Sequence, residues 1–218
     1  MQRASLIPSP NIAVGGIIVF FTSFILINKI KELHFKFFFL LLSYSSLFGV
    51  FFGYAALIPT LLVGIYGFSA AFPFFVSLFL EEYYTSLAIW FTSLGLKIIG
   101  ITHTIDKHTI EFFSASNSKI YLLIDSRCSG TASLGVFIAL FSLMMLDIWI
   151  PIKKAIKLFI FGIAGTFFQN ILRLMILILL AYNYGYQAMW SAHTYAGYIL
   201  FSLWFAIFAF IYLRQAKI

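Results

Sequence analysis

Apolar residues fall in long runs, separated by short charged or prolyl breaks. At about 1.5 Å per residue, a helix needs roughly 20 residues to cross a hydrocarbon layer about 30 Å thick. Seven runs approach that length: residues 11–27, 37–57, 61–80, 84–101, 130–146, 158–182 and 194–213. Pro8 and Pro10 precede the first, and Lys29 and Lys31 follow it. Pro59 closes the second and Glu81-Glu82 the third. The fourth carries Lys97, Gly95 and Gly100, a pattern that also fits an interfacial helix. The first run has only Arg3 before it and no small-residue cleavage site after it, so it is expected to remain as a span.

The longest polar break, residues 102–127, has its own pattern. Thr109–Phe113 and Lys119–Ile124 are rich in β-branched and aromatic residues, and Ser114-Ala115-Ser116-Asn117-Ser118 between them is a turn cluster. The expected architecture is therefore an all-α polytopic membrane protein. It has about seven transmembrane helices and a small extracytoplasmic β-hairpin before the fifth. No repeat or linker divides the chain, so residues 1–218 read as a single domain.

Composition sharpens this. Hydrophobic residues make up 62% of the chain, and mean hydropathy is +1.02, well above the roughly 45–50% apolar content of soluble domains. The net charge of +7 does not point to nucleic acid, because the basic residues cluster at the ends of apolar runs. Lys29, Lys31 and Lys36 form one cluster, Lys153, Lys154 and Lys157 a second, and Arg214 and Lys217 a third. Seven crossings place all three on one side, which the positive-inside rule makes cytoplasmic. The N-terminus, the 102–127 segment and the 183–192 connection then lie outside. Tyr182, Tyr184, Tyr186 and Trp190 read as an interfacial aromatic belt.

The one cysteine, Cys128, excludes an intrachain disulfide and a multi-cysteine metal site. It stands where the polar segment meets the fifth run. Arg127 precedes it, and a neighbouring cation and a helix N-terminus both favour thiolate. Ser129, Gly130, Ala132 and Ser133 are small enough to admit a substrate backbone or a neighbouring helix. Arg173 is a charge inside the sixth run, where insertion costs about 2.5–3.5 kcal/mol and marks a functional position. Asn170, three residues earlier, shares its face. Arg173 lies roughly 13 Å inside residue 182, so either it snorkels outward or the site is sunk in the membrane. Its structural alternative is pairing with backbone carbonyls or Asp147. His193 opens the seventh run, on the same side as Cys128, and can serve as its base. His103, Asp106 and His108 are expected in a solvated loop without metal, and Asp125 is expected to face water. No cofactor is expected.

Cys128 within Cys-Ser-Gly, Arg173 within Asn-x-x-Arg and then His193, in this order on successive late helices, resemble the exosortase/archaeosortase family of membrane-embedded cysteine transpeptidases. The likeness covers roughly residues 85–213. It implies Cys128 as nucleophile, with Arg173 and His193 as its partners. It implies protein substrates that carry a C-terminal motif, a transmembrane helix and a basic tail. It also implies cutting near the motif at the outer membrane face, with transfer of the new C-terminus to an acceptor such as a lipid. Thr131 departs from the aliphatic residue expected after Cys-Ser-Gly, and the first three runs carry no matching motif. Two other classes compete: a transporter or channel with a polar path lined by Asn170, Arg173 and His193, and a non-catalytic assembly subunit. Neither uses the thiol.

Overall fold

A computed structural model describes residues 10–31, 33–125 and 128–216. Arg127 lies outside the described residues. The chain separates into two compact units, residues 1–74 and 75–218.

In the first unit, α1 (Pro10–Lys29) packs along α2 (Leu33–Phe52). Pro10 takes the first helical position, where a missing N–H is harmless. Gly16 lets the helices close, because a Cβ there would sit 2.9 Å from the Ser46 carbonyl oxygen. A 3-10 turn at Gly53–Ala56 leads into α3 (Leu57–Phe79). Pro59 therefore does not close the second helix. It falls in the first turn of the third, where proline fits equally well.

The second unit contains α4 (Glu81–Ile99), a sheet of β1 (His103–Asp106), β2 (Thr109–Phe113) and β3 (Lys119–Leu123), then α5 (Thr131–Asp147), α6 (Ile152–Tyr184) and α7 (Tyr186–Ala216). The sheet is an antiparallel meander in the order β1-β2-β3. Its inner face places Ile110, Phe112, Ile120 and Leu122 in one core with Leu96 of α4, Leu174, Leu177 and Ile178 of α6, and Met189 of α7. The Ala115 N–H bonds to the Tyr182 carbonyl at 2.9 Å, tying the β2–β3 turn to the end of α6.

A second core joins Phe137 and Phe141 of α5, Leu158 of α6, and Phe208 and Tyr212 of α7. Lipid tails are as apolar as these rings, so van der Waals fit holds such helices together. Gly162 and Gly165 provide it, by leaving room for the rings of Phe137 and Trp204. The buried Tyr212 hydroxyl donates to the Ile148 carbonyl at 2.6 Å.

Among the described residues, four segments are long and apolar enough to cross a membrane: Pro10–Lys29, Phe35–Val76, Ile152–Tyr184 and Tyr186–Ala216; Thr131–Asp147 is a shorter apolar helix. The protein is thus a mostly helical multi-pass membrane protein with a small three-stranded sheet. The last two helices outrun their expected lengths. Lys153, Lys154 and Lys157 form the first turns of α6 rather than a connection. The expected 183–192 loop shrinks to Gly185, whose φ of 84° lets the chain reverse between two helices.

Candidate active site

β3 delivers the chain to the start of α5 through a tight turn. The Asp125 main-chain oxygen accepts the N–H groups of Cys128 and Ser129 at 3.1 and 2.9 Å. Its side-chain Oδ1 also accepts the Cys128 N–H at 2.9 Å. This is the turn-forming chemistry of an Asp side chain bonding its own backbone. Asp125 therefore does not face water as expected; it is half-buried and shapes the cysteine turn.

Gly130 completes the turn as the residue capping α5, with φ at 98°. A side chain there would be strained, and its Cβ would lie 2.6 Å from Asn170 Cγ. Asn170 uses that space. Its Nδ2 donates to the carbonyls of Cys128 and Ser129 at 3.2 and 2.6 Å. Only 1% of Asn170 is exposed, so it is a buried clamp between α6 and the cysteine turn.

The network continues along α6. Arg173 Nη1 donates to Asn170 Oδ1 at 3.5 Å. Its Nη2 lies 3.3 Å from His193 Nε2 and donates to the His193 carbonyl at 3.4 Å. Arginine only donates, so Nε2 accepts and the ring proton sits on Nδ1. The ring stacks on Trp190 with centroids 5.5 Å apart. His193 does not open its helix. It lies seven residues inside α7, because Tyr186 and Trp190 of the expected aromatic belt fall in the first helical turns. Gly197, one turn on, faces Arg173, and a Cβ there would come within 3.3 Å of Nε. Asp147, the alternative partner of Arg173, ends α5 at its far end from the turn.

The depth of Arg173 is met by the chain coming down to it. Arg173 lies eleven residues before Tyr184, the last residue of α6, or about 16 Å along the axis. Asn170 lies deeper still and already bonds the cysteine turn. The turn is therefore sunk beside α6, and Arg173 reaches its partners without snorkelling. A groove of about 320 Å³ opens beside them, lined by Ala132, Ser133 and Val136 of α5, Arg173, and His193, Gly197 and Tyr198 among residues of α7.

Cys128 lies in the turn, outside the helices. Its thiol is pushed above its ordinary pKa, first by burial and next by the Asp125 carboxylate, while the Arg173 charge pulls the other way. The sequence-based expectation of a stabilised thiolate is reversed, because burial and then the Asp125 carboxylate outweigh the Arg173 charge. A raised pKa means less thiolate at neutral pH. Alkylation of this sole cysteine should therefore be slow at pH 7 and rise about tenfold per pH unit into the alkaline range. Asp125→Asn keeps the Oδ1 acceptor but removes the charge. It should speed alkylation at pH 7 severalfold, read by iodoacetamide labelling and intact mass.

His103 is half-buried and held by two hydrogen bonds rather than free in a loop. Its Nε2 lies 2.7 Å from the Ser93 hydroxyl and its Nδ1 2.9 Å from the Ile101 carbonyl oxygen, which pins β1 to α4.

A family model described as transmembrane exosortase matches residues 1–210. The comparisons with curated proteins and with solved structures return no match.

Proposed function

Because the chain belongs to the transmembrane exosortase family, we propose that it processes C-terminal sorting signals of surface proteins through a thioester on Cys128. The observation that carries this reading is the hydrogen-bonded run from the Cys128 turn through Asn170 and Arg173 to His193. It draws the start of α5, the middle of α6 and the outer turns of α7 into one place.

The chemistry follows from those groups. His193 takes the thiol proton, and the sulfur attacks the carbonyl carbon of the scissile peptide bond. Arg173 donates to the resulting oxyanion. The C–N bond then breaks, the leaving amine takes the proton back from His193, and a thioester remains. Water, or an amine or hydroxyl of an acceptor such as a lipid, attacks the thioester and releases the thiol. The substrate carbonyl has a further task. Arg173 Nη2 engages His193 Nε2 at rest, so drawing the guanidinium to the substrate oxygen frees that nitrogen to act as base.

The chain crosses the membrane seven times, with its N-terminus outside, its C-terminus in the cytoplasm and the site open to the exterior. Helix α6, at 33 residues, is about 50 Å long and exceeds a hydrocarbon layer of about 30 Å. With Lys157 at the cytoplasmic border, about 20 residues of span leave Arg173 roughly 6 Å below the outer border. Substrates held by their own membrane helix meet the site at high effective concentration.

Trapping the intermediate tests this reading. Purified protein mixed with a membrane-tethered precursor should gain the mass of the upstream fragment on the peptide containing Cys128, and hydroxylamine should remove it. Processing that continues with Cys128 fully alkylated would overturn it.

A further inference from the structure

Strand β3 forms one border of the sheet, and among the described residues its far side pairs with no other strand. The ladder fixes which backbone groups face that open side. Ile124 N–H bonds to the His108 carbonyl at 2.8 Å, and Ser114 N–H to the Ser118 carbonyl at 2.9 Å. Between these lie the register pairs Ile110↔Leu122 and Phe112↔Ile120. Hydrogen-bonded pairs recur at every second residue of an antiparallel ladder, so Ile120, Leu122 and Ile124 turn their backbone groups toward β2. The N–H and C=O groups of Lys119, Tyr121 and Leu123 therefore face outward.

Among the described residues, no turn, loop or cap bonds to these outward groups. Tyr121 and Leu123 are 55% and 62% exposed. Lys119 pairs with Glu111 at 2.9 Å and lies over the Tyr121 ring, so the one charge on the strand is drawn back onto the sheet. Such an edge is a template for another strand. It also leads somewhere: two residues past Leu123 the chain enters the Asp125 turn that presents Cys128.

We propose that the open edge of β3 docks an extended segment of the protein substrate, which joins the sheet as a fourth strand and is guided to Cys128. This rests on the processing reading above and adds the mode of recognition. The occupant follows from the chemistry of the edge. Alternating N–H donors and C=O acceptors at strand spacing are matched by an extended peptide backbone, not by an acyl chain. Main-chain bonds supply the affinity, so it depends on the outward N–H and C=O groups rather than on the Tyr121 side chain. Direction follows as well. A substrate whose C-terminal helix lies in the membrane runs toward the Cys128 turn, as β3 does, so the two strands pair in parallel.

The test uses the full-length protein in lipid nanodiscs and a synthetic precursor running from the processing motif through its membrane helix. Tyr121→Pro deletes one outward N–H, at an edge position where proline leaves the β2 ladder intact. It should raise KM about tenfold with kcat nearly unchanged, while iodoacetamide labelling of Cys128 without substrate stays at the wild-type rate. Tyr121→Thr, which keeps the N–H, should stay within about twofold. With unmodified protein, N-methylation of single precursor amides should impair processing at every second position upstream of the cut. Uniform tolerance of N-methylation, or an unchanged KM for Tyr121→Pro, would overturn the docking mode even where the thioester forms. Absence of the thioester in the wild type would instead bring down the processing reading, and the docking proposal with it.

Discussion

Cys128→Ser should reduce precursor processing by about four orders of magnitude or more, to the background of the assay. The structure makes this substitution a clean one. The main chain of residue 128 is held on both sides: its N–H donates to Asp125, and its carbonyl accepts from Asn170. Serine keeps these bonds and shrinks the side chain only slightly. Expression, thermal unfolding and the Gly130–Asn170 contact should be preserved. What disappears is a thiol that can give up its proton to a base, attack a carbonyl and leave again as a thiolate. Immunoblots for precursor retaining its C-terminal helix read the outcome in cells, and hydroxylamine-sensitive mass reads it in nanodiscs. A transporter, a channel or an assembly subunit would carry on with serine at this position. Normal processing in the variant would therefore remove the enzymatic reading and leave the fold description standing.

The same turn marks what the sequence could and could not disclose. Long apolar runs bounded by Lys29 and Glu81-Glu82 foreshadow the helices, because a span must satisfy its own backbone whatever its partners are. Strands β2 and β3 were legible from their β-prone runs around the serine-rich turn. Strand β1 was not. Its turn is Lys107-His108, with Lys107 at a φ of 50° and no Gly, Asn or Pro to signal it. The starts of α6 and α7 were hidden for another reason. Hydropathy reports where lipid begins, and both helices continue past that point on lysines or aromatics.

The site divides in the same way. Cys128, Arg173, Asn170 and His193 stand out by residue type, since each is costly or rare beside apolar runs. Asp125, Gly130 and Gly197 matter through contacts between distant segments. No local pattern reveals that Asn170 needs the volume a side chain at position 130 would fill, or that a carboxylate would sit close enough to raise the thiol pKa. The raised pKa also bears on function. A thiol that stays protonated in the free protein is protected from stray alkylation and oxidation. On the proposed mechanism it becomes a nucleophile when a substrate carbonyl occupies Arg173 and releases His193.

That coupling sets the second large effect. Arg173→Lys should lower kcat by about 10²–10³-fold, equivalent to about 3–4 kcal/mol of transition-state stabilisation, with KM changing little. The guanidinium spans two partners at once, Asn170 on its own helix and His193 on the next, at 3.3–3.5 Å. Those are long bonds, and its buried Nε has no hydrogen-bond partner among the described residues. On the proposed mechanism these donors are held in reserve for an oxygen that appears only during reaction. Lysine keeps the positive charge but concentrates it on one nitrogen, which cannot face Asn170, His193 and an oxyanion together. Asn170 would still grip the carbonyls of Cys128 and Ser129, so the cysteine turn should hold its shape and iodoacetamide should still label Cys128 at close to the wild-type rate. Separate measurement of kcat, KM and labelling rate decides the matter. A lysine variant that keeps a third or more of wild-type kcat would mean that Arg173 serves through charge alone, and that the forked contact to His193 has no part in the chemistry.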